Sequence, residues 1–283
     1  MNLLRRTART VSNTLGRESG VINALRPAYD RMLDWSSRGK GIVQTINGHE
    51  QIRIDPRHRA HVPEVYDPEV CRYLRERVQP GAVCLNIGAH VGIYALCLAQ
   101  WSRPGGRVYA FEPNPATRAA LEKHVALNDA GEQIEVIAQA VSEAQDEAEF
   151  FATELEGFSR LGQPNPEASH EKLTAVTVPI TSVDAFCAGR KLSPDWITMD
   201  IEGYEIAALS GARETIKAAR GRLRLIVEMH PGLWLSTERT REQLETLIAE
   251  MNLTPVCLTG QADPFADYGI VLLEDKEHSR KAT

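Results

Sequence analysis

Short apolar runs alternate with segments of helical period along most of this chain. Apolar or alternating runs bounded by Gly, Pro, Asn or Asp predict strands over residues 83–86, 107–112, 134–138, 196–200, 223–228, 255–259 and 269–273. Residues 69–78, 91–101, 115–128, 204–219 and 239–251 carry the 3.6-residue period of helices. Strand and helix in turn imply an α/β, Rossmann-like fold with a mainly parallel seven-stranded sheet and helices on both faces. Upstream, residues 41–46 and 49–55 flank Asn47-Gly48, the strongest short signal for a hairpin. This divides the chain into an N-terminal extension, 1–62, and a main domain, 63–283. The alternation breaks between the third and fourth strands of the sheet. There, 147–153 and 173–178 look extended, and polar residues 154–172 contain Gly157, Gly162, Pro164 and Pro166. Ser159 and Arg160 fall in this stretch, which reads either as a lid that orients a substrate or as a solvated loop.

Charge alters the picture at the start of the chain. The formal net charge of −6 argues against nucleic acid as a partner. Yet residues 1–40 hold eight Arg or Lys against three acids, and Leu4, Ala8, Val11 and Leu15 lie at helical spacing. A basic amphipathic helix resting on an anionic membrane surface is one reading, and a helix covering protein surface is the other. The five scattered cysteines contain no C-x-x-C, which suits reduced core residues in a cytoplasmic protein. No apolar run is long enough to span a bilayer.

The first strand of the main domain runs into Asn86-Ile87-Gly88-Ala89-His90-Val91-Gly92, and an apolar helical segment follows. Glycines at a strand-to-helix turn let the backbone approach a ligand and offer it a helix N-terminus. A dinucleotide site wants G-x-G-x-x-G, whereas this loop is G-x-x-x-G. The second strand ends at Glu112, placed to accept both hydroxyls of a ribose. Together these describe S-adenosylmethionine binding better than NAD. They also disfavour a nicotinamide oxidoreductase.

Three landmarks occur in order: Asn86 to Gly92, Ala110 to Pro115, and Ile197-Thr198-Met199-Asp200-Ile201-Glu202-Gly203-Tyr204-Glu205. In them the chain, over roughly residues 64–230, resembles FkbM-type methyltransferases. That resemblance implies the class I methyltransferase fold and S-adenosylmethionine-dependent O-methylation of a sugar, glycolipid or polyketide-like hydroxyl. It also implies that the first and fourth strands are neighbours, setting Asp200 beside the Gly88 loop. Asn86 and His90 stand where the family usually has Asp and Asn. The cofactor set is then Asn86, Gly88, Ala89, His90, Gly92, Glu112 and Asp200. A non-catalytic subunit that keeps the fold and supports a partner enzyme is the alternative those two departures suggest.

Candidates for the proton acceptor lie at the ends of the fourth and fifth strands: Asp200 and Glu202, then Glu228 and His230. His230 is the first choice as base, because an unperturbed imidazole titrates nearest neutrality. Ser159, Arg160 and Glu228 are the expected acceptor contacts. Carboxylates and a histidine from neighbouring strands could instead hold a divalent cation, but no compact ligand motif occurs. The expectation is a metal-free site.

Overall fold

The computed structural model describes residues 20–153, 159–166, 173–219 and 221–276. The helix expected over residues 1–15 lies outside them, and with it the membrane-contact reading. The first described element is a helix at Gly20–Ser37, which the sequence reading did not predict. The hairpin follows, with β1 at Ile42–Ile46 and β2 at Glu50–Ile54. Its turn places Asn47 at φ 50° and Gly48 at φ 76°, the positive angles that select Asn-Gly.

The main sheet uses β3 (Val83–Ile87), β4 (Arg107–Phe111), β5 (Ile134–Ile137), β10 (Trp196–Met199), β11 (Arg224–Met229), β12 (Leu253–Cys257) and β13 (Gly269–Asp275). Its order is β12-β13-β11-β10-β3-β4-β5. All pairings are parallel except those of β13, which runs antiparallel between β11 and β12. All seven expected strands are present, and β3 and β10 are neighbours. Their runs, VCLNI and WITM, are apolar almost throughout because helices cover both faces of the sheet. The two faces bury separate cores. Cys84 and Trp196 point into one, and Leu85, Ile87, Ile197 and Met199 into the other. By the same alternation Asn86, Thr198, Ile226 and Glu228 share the Cys84 face.

The hairpin belongs to that core. Ile42, Ile46, Ile52 and Ile54 are buried with Leu96 and Leu121 of the main domain. Buried Asp55 accepts from Arg57 and from Lys123 Nζ at 2.7 Å. Burial alone would raise its carboxyl, but these cations and the Arg57 backbone N–H hold it well below the usual range. The division at residue 62 is therefore one of chain order, and packing continues across it.

Two departures bear on the site. The helix predicted over 204–219 is two helices, Glu205–Ser210 and Arg213–Ala219. Between them, a Cβ on Gly211 would come 2.3 Å from the Ser142 carbonyl oxygen, so the backbone there lies against another segment and the helix is interrupted. The interruption of the α/β pattern is itself a sheet. β6 (Ala140–Val141), β7 (Asp146–Ala152), β8 (Arg160–Leu161) and β9 (Thr174–Thr181) lie in the order β6-β9-β7-β8. Both segments read as extended are thus strands. A helix at Val183–Arg190, capped by Ser182, follows and was not foreseen.

Candidate active site

β3 ends at Ile87, and Gly88 turns the chain at φ 78°. A Cβ there would sit 1.8 Å from the Asp200 carbonyl oxygen, so only glycine lets the loop pass the tip of β10. Gly92 takes φ 97°, and its Cβ would meet Leu121 at 2.4 Å. The helix therefore starts at Ile93, two residues later than expected. A cleft opens above these turns, with about 1110 Å³ free of protein atoms, part of it open to solvent. Asn86, Gly88, Ala89, His90, Gly92, Glu112, Ser159, Arg160, Asp200, Glu202 and Glu228 all line it. Of the residues singled out from the sequence, only His230 stands behind the wall.

Glu112 sits at the end of β4, 6% exposed. Its Oε2 accepts the His90 backbone N–H at 2.8 Å, and its Oε1 accepts that of Asn114 at 2.9 Å. His90 thus serves through its backbone, at φ 49°. Burial pushes the Glu112 carboxyl up to about 7, against the pull of those two N–H groups and Arg118. Ser159, expected to contact the acceptor, lines the cleft; its hydroxyl receives the Thr153 N–H at 3.0 Å and Asn114 Nδ2 at 3.2 Å, and so helps to hold the Glu112 turn.

Asn86 donates through Nδ2 to Thr198 Oγ1 at 3.0 Å, across the β3–β10 pairing. Its Oδ1 is buried and has no partner. An orphaned acceptor of this kind is costly unless a ligand donates to it. Asn86 and Glu112 line the same cleft. The cradle under Gly88, the free amide oxygen of Asn86 and the ready carboxylate of Glu112 all fit that cofactor.

The opposite wall is built from the tips of β10 and β11. Asp200 follows β10, and its Oδ1 is shielded from solvent without a hydrogen bond. Desolvation, and then the charge of Glu228, drive its carboxyl upward. Glu202 turns at φ 51° and accepts from Asn165 Nδ2 at 3.0 Å. Burial lifts it to about 7, in excess of the opposing pull of His230. Glu228 accepts the Tyr268 hydroxyl.

His230 is 9% exposed. Its Nδ1 lies 2.9 Å from Glu205 Oε1, and its Nε2 lies 3.9 Å from Asp200 Oδ1 and 3.8 Å from Glu202 Oε2. Burial would lower its pKa, but the hydrogen bond and charge of Glu205, with Asp200 and Glu202, outweigh that and raise it to about 10. A ring with that pKa keeps its proton at neutral pH, which speaks against the role of base. Glu205, fully buried, also accepts from Gly203 N and Trp234 Nε1. Glu205 closes the third landmark, yet the strand argument assigned it nothing. Its signal was an acid on the first helical turn, three residues past Glu202.

Asp200, Glu202 and His230 offer atoms within 4.8 Å of one another that could hold a metal ion. The imidazolium lies 3.9 Å from Asp200 and 3.8 Å from Glu202, so the group also reads as an acid–histidine cluster, with Asp200 Oδ1 left without a hydrogen bond.

The Methyltransferase FkbM domain family matches residues 86–252. No curated protein sequence matches the chain significantly. Among solved structures, the methyltransferase FkbM of Methylobacillus flagellatus is similar at 17% identity and a TM-score of 0.47, over 70% of this chain and 44% of that one. The chain thus spans under half the length of that relative. An O-methyltransferase of Bacillus cereus, in complex with S-adenosylhomocysteine, is 15% identical over 76% of this chain and 84% of its own, with a TM-score of 0.43. The magnesium protoporphyrin IX methyltransferase of Synechocystis, with bound S-adenosylmethionine, is 13% identical over 74% and 78%, with a TM-score of 0.41. The family match covers more than half of the sequence and includes the glycine loop, Glu112 and the acidic cluster, so the chain belongs to the FkbM methyltransferase family, with S-adenosylmethionine as its cofactor.

Proposed function

We propose that the chain transfers the methyl group of S-adenosylmethionine to a hydroxyl oxygen of a small acceptor, such as a sugar, a glycolipid or another hydroxylated metabolite. One observation supports oxygen as the target. Two carboxylates, Asp200 and Glu202, line the cleft that Asn86 and Glu112 also line. Methyl transfer to a hydroxyl is an in-line displacement in which the oxygen must lose its proton as the new bond forms. Glu202, lifted to about 7, titrates where a general base is most effective. Asn165 holds it on one side, and the His230 imidazolium stands behind it. Asp200, at the strand tip beside the Gly88 loop, is placed to orient the acceptor hydroxyl. Holding the acceptor in line is the larger share of the work, up to roughly 7–11 kcal/mol. A base adds about 10²- to 10⁴-fold.

The alternative, a fold kept without catalysis, rested on Asn86 and His90. Asn86 retains a free acceptor in the cleft, and the His90 main chain holds Glu112, which supports the catalytic reading over that alternative. Incubation with methyl-labelled S-adenosylmethionine and a cell extract tests the reading. A labelled product whose methyl group sits on oxygen is expected. Label on nitrogen or carbon would contradict it. No helix among the described residues is long and apolar enough to cross a membrane. A contact between residues 1–19 and anionic lipid is a separate proposal, checked by vesicle sedimentation with and without that segment.

A further inference from the structure

Arg160 is 1% exposed and among the largest fully buried side chains. The stretch that carries it read either as a lid or as a solvated loop, but its backbone lies in β8, paired with Phe151 of β7, and its side chain forms part of the cleft wall. Nη2 donates to Ser236 Oγ at 2.9 Å, and the guanidinium carbon lies 5.8 Å from the centre of the Tyr204 ring. Nε and Nη1 are buried and have no hydrogen-bond partner. Burial lowers its pKa, against the pull of Tyr204, Glu202 and Glu205. A buried guanidinium with open N–H groups destabilises the protein that carries it. Such a group is worth keeping where a ligand completes it, since charge-assisted hydrogen bonds are the strong ones. Its surroundings say which ligand. Tyr204, Ser236 and the Gly203 backbone all follow the tips of β10 and β11. That is the Glu202 wall, across the cleft from Glu112.

We propose that Arg160 receives an anionic group, a carboxylate or phosphate, carried by the acceptor, so that the methylated molecule is an acid. This rests on the methyltransferase reading of the cleft and adds the acceptor's class to it. The guanidinium pairs with the anion and thereby sets the hydroxyl to be methylated against Glu202. The cofactor brings a carboxylate of its own, so the source of the anion has to be separated by experiment.

Three measurements on the full chain do so. The first is the melting temperature of the protein saturated with S-adenosylhomocysteine, in sulfate and in chloride at equal ionic strength. Sulfate should raise it for the wild type and not for Arg160→Met. No difference between the two proteins overturns the proposal whether or not an acceptor is known. In chloride, Arg160→Met should melt at or above the wild-type temperature, because an uncompensated charge is removed. A fall of several degrees would make Arg160 a structural residue and overturn the proposal. The second is affinity for S-adenosylhomocysteine and for 5′-methylthioadenosine, which lacks the carboxylate. Both should change less than twofold in Arg160→Met. A loss above tenfold for the first alone would assign the anion to the cofactor. The third is anion exchange of the product labelled in extract. It should be retained at neutral pH, and Arg160→Met should lower its yield more than tenfold. A neutral product would overturn the proposal, whereas the absence of any product speaks against the methyltransferase reading.

Discussion

The two walls of the cleft are both acidic, but they are finished to different degrees. On the Glu112 side both carboxylate oxygens are held by backbone N–H groups of neighbouring turns, at His90 and Asn114. On the Asp200 side five acidic or basic groups converge from β10, β11 and the helix that starts at Glu205. Among the described residues Glu205 is held there by Gly203, His230 and Trp234. Asp200 Oδ1 has no hydrogen bond. The carboxylate of the first wall is held before a ligand arrives, with the Asn86 amide oxygen left open, which suits a cofactor that is always the same. The second keeps open positions and raised carboxyl pKa values, which suits a proton in transit.

That contrast predicts separable defects. The largest is at Glu202. Glu202→Gln should lower kcat by about 10²- to 10³-fold and leave affinity for S-adenosylhomocysteine unchanged. Initial rates with the identified acceptor check this, and wild-type turnover would leave the second wall without its base. Next is Glu112→Ala. Losing charge-assisted bonds worth about 1.5–3 kcal/mol should weaken cofactor binding roughly 10- to 100-fold, while kcat at saturating cofactor stays near wild type. Titration calorimetry separates the two parameters.

A smaller effect comes from pH. The Glu112 carboxyl lies at about 7 in the free protein, raised by burial. Ribose hydroxyls donate to the ionised form, so cofactor binding lowers that pKa and releases a proton. Affinity should then fall by up to about tenfold for each pH unit below 7 and be flat above it. Glu112→Gln should abolish the slope. The sharpest null concerns metals. His230, raised to about 10 in the balance of burial against its three acidic neighbours, already provides the positive charge of the second wall. Chelator treatment should therefore leave the rate unchanged. Loss of activity with rescue by a divalent ion would make Asp200, Glu202 and His230 ligands and end the contrast as drawn.

The finished wall is also the one that sequence reveals best. Its parts lie within single turns: Gly88 and Gly92 four residues apart, and Glu112 directly after an apolar strand. Local periodicity and glycine chemistry suffice there, and the seven strands of the main sheet follow from the same signals. The second wall depends on contacts over long separations. Glu205 meets His230 across 25 residues, and Arg160 meets Ser236 across 76. No local pattern shows that an imidazole will stand among three acids, so the free pKa alone does not describe His230. The inserted sheet was partly legible. β7 and β9 were visible as extended runs, but β8 is two residues long and exists only through its pairing with Phe150 and Phe151. A strand that short has no periodicity to read, and Arg160 was therefore placed on a loop.

The account stands on the cleft between Gly88 and Glu112 as a nucleoside site. Calorimetric titration of the full chain with S-adenosylhomocysteine at pH 8 tests it most directly. Saturable binding of one ligand per chain is predicted, at least tenfold weaker in Glu112→Ala. No heat up to millimolar ligand, or equal affinity in the two proteins, would contradict it.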